Sequence, residues 1–202
     1  SLGNLAEYLM EQLGKVATLP EEPFAGNVRG GAESAEWAFC WAPDAEGPVA
    51  ESYVNLIPTT EGGTHVNGLR AGVTDAVREF CEFRNLLPRG LRLAPDDVWQ
   101  AVSFVLSVRV QNPQFAGQVK EKLSSRESAA FVSGVVKDAL ALWLNQHPEA
   151  GERIAQFAIG NAQERVRAAQ KVVRKRITSG PALPGKLVDC TRQDPAHCEL
   201  FL

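Results

Sequence analysis

The sequence predicts an α+β fold in which helices cover one face of a β-sheet. Segments typical of strands come first, and helix, strand and helix then follow, an order that this class produces. From Val102 to Val110 every second residue is large and apolar, which is the two-residue period of a strand with one face in a core. Two longer segments repeat apolar residues at helical spacing. We therefore expect the strand Val102–Val110 to be the element around which the chain is organised.

The chain begins with a short amphipathic helix and a connector. The apolar residues of the helix are Leu5, Tyr8, Leu9 and Leu13. Asn4 is in the position of an N-cap, and Gly14 supplies a stop signal. The apolar stripe is expected to dock on a neighbouring element. Residues 19–23, which contain two prolines, are predicted to be a connector.

Three strands are predicted next. The first covers Phe24–Gly30, the second Ser34–Ala42 and the third Tyr53–Ile57, which Pro58 ends. The second strand has three aromatic side chains on one face: Trp37, Phe39 and Trp41. Three aromatic residues on one face are more often part of a core than a platform for a ligand, so we expect this face to be buried.

A turn at Glu61–His65 leads into a helix for which Thr64 is the predicted N-cap. The residues expected to be buried on this helix are Leu69, Val73, Ala76, Val77, Phe80 and Phe83. Glycines before a helix can bind phosphate through free N–H groups. This segment lacks the spacing of a P-loop, and the glycines are therefore assigned to the turn. His65 has no partner at metal-ligand spacing, so a structural or solvated role is expected.

A short turn is predicted near Pro95–Val98, and a further helix follows the central strand. Ser124 and Glu127 have the spacing of a capping box at its start, and His147-Pro148 ends it. The residues expected to face the core are Phe131, Val132, Val135, Val136, Ala139, Leu142 and Trp143. This wide apolar face is predicted to cover one side of the sheet.

The loop between the central strand and this helix carries the best candidate for a binding site. Asn112 and Pro113 end the strand, because proline has no N–H to donate, and Gly117 allows a turn. Gln118 and Lys120 then place an amide and an ammonium group two residues apart, on the same side if the segment is extended. Such a pair fits a polyanion. The alternative is that both side chains are simply solvated, as loop lysines usually are.

The last predicted helix, Ile154–Ile177, is strongly basic. Its apolar stripe is narrow and consists of Ala162, Val166, Ala169, Val173 and Ile177. Residues 161–178 hold six basic side chains and one acid, a net charge of +5, so the remainder of the −3 chain carries −8. One interpretation is a solvated helix face, and the other is a lever close to DNA phosphates. The best candidates for a DNA contact are Arg174, Lys175 and Arg176.

Composition excludes several classes of protein. A chain of 202 residues with a net charge of −3 is not an overall basic nucleic-acid binder. No apolar run approaches bilayer-spanning length, and the first residues lack the basic-then-apolar order of a signal peptide, so no membrane partner is expected. Four scattered cysteines fit a reducing cytoplasm. Cys190, His197 and Cys198 lack a fourth ligand, which makes a metal site there a weak hypothesis.

Both ends suggest a piece of a longer chain. Ser1 is not an initiator methionine, and Glu199–Leu202 is typical of the opening of a strand that has no partner.

Several motifs, in their order and spacing, resemble the transducer region of the B subunit of bacterial type IIA topoisomerases. They are Glu61–His65, Gly68–Arg70, Pro113–Lys120, Leu183–Leu187 and Asp189-Cys190. The segment Glu82–Gly90 is more similar to the B subunit of topoisomerase IV than to that of gyrase. The resemblance extends from about Leu5 to Leu202 and so covers almost the whole chain.

The resemblance implies a ribosomal protein S5 domain 2-like sheet with an unusual left-handed crossover. It also implies a domain organisation: an N-terminal helix and connector at 1–20, the transducer domain at 21–150, a long basic linker helix at 151–180, and the truncated start of a TOPRIM domain at 181–202. Lys186 lies in this last segment and is a further candidate for a position near DNA.

The resemblance further implies an ATP-hydrolysing DNA topoisomerase, an isomerase, whose B subunit relays ATP binding and hydrolysis to the DNA gate for strand passage and decatenation. In that family a lysine loop contacts the γ-phosphate of ATP, and this role falls on Gln118 and Lys120. Val119 replaces the more familiar threonine between them, which excludes a hydroxyl contact there. ATP and Mg²⁺ would belong to the parent protein, and the fragment alone is expected to be inactive and to bind neither.

The partners implied are the N-terminal ATPase domain of the same chain, the topoisomerase IV A subunit, double-stranded DNA, and a second B subunit in the ATP-bound state. The alternative from another class is a freestanding S5-like module that binds nucleic acid or another protein. Such a module would be retained on nucleic acid at moderate salt, which this acidic chain is expected to show only weakly.

Overall fold

The computed structural model describes residues 2–179 and divides the chain into two compact units, residues 1–163 and 164–202. The elements are α1 (Leu2–Leu13), β1 (Leu19–Arg29), β2 (Glu33–Trp41), β3 (Ala50–Val54), β4 (Ile57–Pro58), α2 (Thr64–Phe83), α3 (Pro95–Trp99), β5 (Val102–Val110), α4 (Arg126–Gln146) and α5 (Pro148–Thr178).

The five strands form one mixed sheet in the order β1-β2-β5-β3-β4. β5 is the central strand: it pairs antiparallel with β2 and parallel with β3. The pairing with β2 is unbroken from Trp41 opposite Val102 to Glu33 opposite Val110. The sequence prediction for this strand is therefore confirmed in both its bounds and its central place.

The two faces of the sheet have different coverings. One face carries the aromatic residues of β2, which pack with α2, α4 and the first turns of α5 in the main core. The other face carries Ala38, Cys40 and Val105, and Leu9 of α1 packs on them. The prediction of helices on one face was therefore incomplete, because the stripe of α1 docks on the opposite face. Ala38 and Cys40 are small enough for a helix to lie close to the strands.

The edge strands differ from their predicted bounds. β1 begins at Leu19, which pairs with Trp41, and an irregularity follows before pairing resumes at Phe24. The predicted connector is thus partly strand. The predicted strand Tyr53–Ile57 is instead a tight hairpin of β3 and β4, in which Asn55 and Leu56 have positive φ angles of 51° and 68°.

The ends and the buried faces of the helices also differ from the predicted ones. Asn4 lies inside α1 and is not its cap, whereas Gly14 ends the helix as predicted, with a φ of 73°. Phe83 and Leu142, both predicted to be buried, are 86% and 61% exposed. Phe83 is the last residue of α2, beyond the part that packs on the sheet. On α4 the deepest positions include two residues that the pattern did not single out, Leu140 and Leu144.

The start of α4 differs from the capping-box prediction. The residue in the N-cap position is Ser125, and Ser124 precedes it. The Oγ of Ser125 accepts a hydrogen bond from the backbone N–H of Gln114 at 2.9 Å. The hydroxyl is therefore committed to the preceding loop and not to the helix.

The long helix α5 begins six residues before the predicted start. Its first turns bury Ile154, Ala158 and Ala162 in the core of the first unit. In the second unit the structure describes residues 164–179, where Val173 and Ile177 are 55% and 76% exposed. The described residues contain no helix long and apolar enough to cross a membrane.

Helices α2 and α4 meet through backbone atoms at two glycines. A Cβ on Gly68 would lie 2.4 Å from the carbonyl oxygen of Ala129, and one on Gly72 would lie 2.7 Å from that of Ser133. Real Cβ atoms do not approach this closely, so any side chain at these positions would push the helices apart. We call Gly68 and Gly72, with the facing Ala129 and Ser133, the glycine seam.

We expect Gly68→Ala to lower the free energy of unfolding by about 1–3 kcal/mol, since the clash with the α4 backbone outweighs the gain in helix propensity. The matched control is Gly134→Ala, because a Cβ there meets nothing within 4 Å. That change should stabilise the chain by up to about 1 kcal/mol. Urea unfolding of the variants measures both values, and equal effects of the two changes would contradict the seam.

Candidate functional site

The loop that carries Gln118 and Lys120 leaves the end of the central strand β5 and returns to the start of α4. The side chains of Gln118, Val119 and Lys120 are exposed. Residues 117–122 form bends and turns, so the extended geometry that would place Gln118 and Lys120 on one side is not present. Among residues 2–179, no side-chain hydrogen bond or ion pair holds either of them.

The loop has a hydrogen-bonded stem below this exposed tip. The N–H of Ala116 donates to the carbonyl of Lys122 at 2.9 Å, and the N–H of Ser124 donates to that of Gln114 at 2.8 Å. Ser125 adds its hydroxyl contact to Gln114. The two arms are thereby fixed to one another, which leaves residues 117–120 as the tip.

The stem is attached to the turn before α2. The N–H of Leu123 donates to the carbonyl of Gly62 at 3.1 Å, and the N–H of Thr64 donates to the carbonyl of Leu123 at 3.0 Å. A third bond joins the N–H of Glu61 to the carbonyl of Glu121 at 2.9 Å. Leu123 itself is 1% exposed and belongs to the main core. We call residues 61–64 together with Leu123 the loop anchor.

Gly63 is essential to the geometry of this anchor. Its φ is 134°, a conformation that residues with a side chain rarely adopt, and a Cβ there would lie 2.3 Å from the carbonyl oxygen of Leu123. The assignment of these glycines to a turn is confirmed. The N-cap prediction was wrong, because Gly63 occupies that position and Thr64 is the first helical residue. The buried Oγ1 of Thr64 has no hydrogen-bond partner among the described residues.

His65 joins the same region to the β3–β4 hairpin through buried hydroxyl groups. Its Nε2 lies 3.1 Å from the Oγ1 of Thr59, which in turn lies 2.7 Å from the Oγ of Ser52. His65 is fully buried, and burial lowers the pKa of its ring to about 4. The ring is therefore neutral near pH 7, and its role is structural, one of the two roles that the sequence left open.

Two hollows lie elsewhere on the described part of the first unit. A groove of about 1270 Å³ lies between α1, the following connector and the Trp143–His147 pair, and a hollow of about 560 Å³ lies over the β1–β2 hairpin. Neither is lined by the exposed loop. Within residues 2–179 no three acidic, histidine or cysteine side chains are placed to hold a metal ion.

The basic side chains at the described end of the second unit are exposed. Arg174, Lys175 and Arg176 all lie in the last turns of α5 and are accessible to solvent. Lys186, together with Cys190, His197, Cys198 and the predicted TOPRIM segment, lies outside the described residues.

Sequence reasoning missed the partner of the glycine turn. Leu123 lies 60 residues from Gly63, and no local pattern connects the two. The signal present in the chain was one leucine between charged and polar residues at the end of the loop, just before the start of α4. The contact of Leu123 with the turn at residues 61–64 depends on the order of the strands in the sheet.

The chain is similar in structure to proteins that have been solved, among them the following two. One is the ATP-binding domain of topoisomerase IV from Francisella tularensis, with a TM-score of 0.73 and 39% identity over 80% of this chain and 43% of that one. The other is the 43K ATPase domain of gyrase B from Thermus thermophilus, with a TM-score of 0.76 and 27% identity over 85% of this chain and 46% of that one. These similarities place the fold with that of the topoisomerase IV and gyrase B proteins.

The chain belongs to the DNA gyrase B family, whose model matches residues 4–173. It is 61% identical over 198 residues to the B subunit of DNA topoisomerase 4 from Pseudomonas aeruginosa and, over the same length, to that from Escherichia coli. These matches cover 98% of this chain. The chain spans only 32% and 31% of the length of these two relatives. The predicted relationship to the type IIA topoisomerase B subunits is confirmed at the level of the family.

The buried His65 predicts a pH dependence of stability. Its folded pKa of about 4 lies below the ordinary value of 6.5, so its contribution is complete above pH 6.5 and is lost as the pH falls towards 4. Between about pH 7 and about pH 4.5 the wild type should lose about 2 kcal/mol more of its free energy of unfolding than His65→Gln, which has no ionisable ring. If the free energy of unfolding fell equally with pH in the two proteins across this range, the burial of a neutral His65 ring would be contradicted.

Proposed function

We propose that this chain is the transducer part of an ATP-dependent type II DNA topoisomerase B subunit of the topoisomerase IV kind. In this role it relays ATP binding and hydrolysis in a preceding ATPase domain to the DNA gate, for strand passage and decatenation. The parent enzyme is an isomerase that acts in the cytoplasm with an A subunit and double-stranded DNA, and its B subunits dimerise when ATP is bound. Identity of 61% to named topoisomerase 4 B subunits supports this assignment.

The observation that carries the proposal is the exposed tip with Gln118 and Lys120 on a fixed stem. The proposal gives these two side chains the contact with the γ-phosphate of ATP bound by another part of the polypeptide. An ammonium group and an amide are both donors, and both match a phosphate oxygen. Residues 2–179 hold no group of three possible metal ligands, and the proposal assigns Mg²⁺ and the rest of the nucleotide pocket to the preceding domain.

A contact to the terminal phosphate differs between ATP and ADP, which is what a switch requires. Charge-assisted hydrogen bonds contribute about 1.5–3 kcal/mol each. Two of them would bias a conformational equilibrium by roughly a hundredfold or more. The stem and anchor connect the tip to the strand β5 and to the helices α2 and α4, which would carry the change onward.

We also propose the finer features of the fold and of the domain organisation. The sheet would be the S5 domain 2-like part of the transducer, residues 151–180 the basic linker helix, and residues 181–202 the start of a TOPRIM domain. The exposed basic residues Arg174, Lys175 and Arg176 would lie near DNA phosphates, with Lys186 as a further candidate.

Replacement of Lys120 by alanine in the intact parent enzyme should reduce the rate of ATP hydrolysis and of strand passage by at least roughly tenfold, since a charge-assisted contact is lost. Gln118→Ala should give a smaller loss in the same direction. Steady-state ATPase and decatenation assays measure both effects.

A matched control for this experiment is Lys15→Ala, which removes an exposed lysine from another loop. It should leave both activities unchanged. Wild-type turnover in Lys120→Ala would refute the proposed contact. Magnesium-dependent ATPase activity in the purified 202-residue chain would refute the assignment of the nucleotide pocket to another domain.

Removal of the three basic side chains at positions 174, 175 and 176 should weaken DNA binding by the parent enzyme without altering sequence preference. If each neutralises one phosphate, the slope of log affinity against log salt concentration should decrease by up to about 2.7. The control is a double variant in which Arg84 and Arg89 are changed to alanine. It removes two exposed basic side chains of the first unit. An unchanged slope in the triple variant would place these residues away from DNA.

A further inference from the structure

We infer that Gly63, Leu123 and Ser125 are positioning residues for the γ-phosphate contact, and that through them the loop sets the position of both α2 and α4. This inference rests on the proposed function of Gln118 and Lys120. It assigns a role in the nucleotide response to residues that do not themselves contact the nucleotide. The role follows from how the tip is held.

The tip depends on its stem for its position. Within the described residues, no side-chain hydrogen bond or ion pair holds Gln118 or Lys120. The location of Lys120 relative to the fold is therefore determined by two sets of bonds. One joins Gln114 to Ser124 and Ser125, and the other joins Glu121 and Leu123 to residues 61–64. A displacement of about 1 Å at a contacting group can reduce a rate by roughly a hundredfold.

The base of the loop is also where two helices begin. Gly63 is the N-cap residue of α2, and Ser125 is the N-cap residue of α4. Leu123 is bonded on both sides of Gly63, through the carbonyl of Gly62 and the N–H of Thr64. A movement of the stem must therefore displace the first turns of both helices or break these bonds.

The glycine seam carries such a displacement further. One turn beyond the anchor, Gly68 contacts the backbone at Ala129, and Gly72 contacts Ser133 one turn later. Since backbone atoms in contact cannot be compressed, α2 and α4 are expected to move as one body with the loop anchor. The path from Lys120 to the helices therefore runs through main-chain contacts, and substitutions that alter those contacts should uncouple it.

Three substitutions test this in the full-length B subunit assembled with its A subunit. Ser125→Ala removes the hydroxyl group that accepts the N–H of Gln114 and leaves the loop anchor in place. Gly63→Ala adds a Cβ against Leu123. Leu123→Ala removes the buried side chain and serves as the second anchor variant where Gly63→Ala fails to fold. The measured quantity is the ratio of affinities for a non-hydrolysable ATP analogue and for ADP, with kcat, KM and the unfolding midpoint.

The expected result for each folded variant is at least roughly a tenfold loss of the preference for the triphosphate, with ADP affinity unchanged. Ser125→Thr, which retains a hydroxyl group, should restore the preference, and Gly134→Ala should leave it unaltered. A merely structural role of the anchor would lower the unfolding midpoint and leave the affinity ratio at its wild-type value.

Lys120→Ala, measured in parallel, separates this inference from the proposed function. Loss of the triphosphate preference in Lys120→Ala, with wild-type ratios in Ser125→Ala and in a folded anchor variant, overturns the inference alone. A wild-type ratio in Lys120→Ala overturns the proposed γ-phosphate contact and the inference with it.

Discussion

The close approach of Gly63 to Leu123 is the contact on which the arrangement of the candidate site depends. A Cβ on Gly63 would lie 2.3 Å from the Leu123 carbonyl oxygen, and the positive φ of 134° is available to glycine and few other residues. Backbone hydrogen bonds on both sides of this contact close it. The turn before α2 and the end of the functional loop thereby become one rigid piece, and the exposed tip takes its position from that piece.

The remainder of the first unit supports this junction. The central strand β5, paired along its whole length with β2, delivers the loop from one end of the sheet. On one face the aromatic core of Trp37, Phe39 and Trp41 holds α2 and α4, and the glycine seam brings these helices into backbone contact. The buried hydrogen bonds that join Ser52, Thr59 and His65 attach the start of α2 to the β3–β4 hairpin. Each of these contacts limits how the loop anchor can move.

Much of the fold was predictable because its signals are local. The alternation in Val102–Val110 identified β5 with the observed bounds, and helical spacing located α2 and α4. Local rules failed where a partner distant in sequence decides the outcome. Leu19 joins a strand because Trp41 is opposite it, Thr64 donates its N–H to a carbonyl 59 residues away, and the small residues of β2 provide a dock for α1.

The sequence by itself determined which residues are candidates for chemistry, since an ammonium and an amide next to a strand-ending proline are visible without coordinates, as is the basic run of the last helix. Only the tertiary structure decided what holds the loop. Gly63 and Leu123 meet because the sheet order places β5 between β2 and β3, and this order depends on contacts between segments far apart in the chain. Side-chain periodicity specifies the faces of an element, whereas the neighbours of those faces are selected by how the whole chain packs.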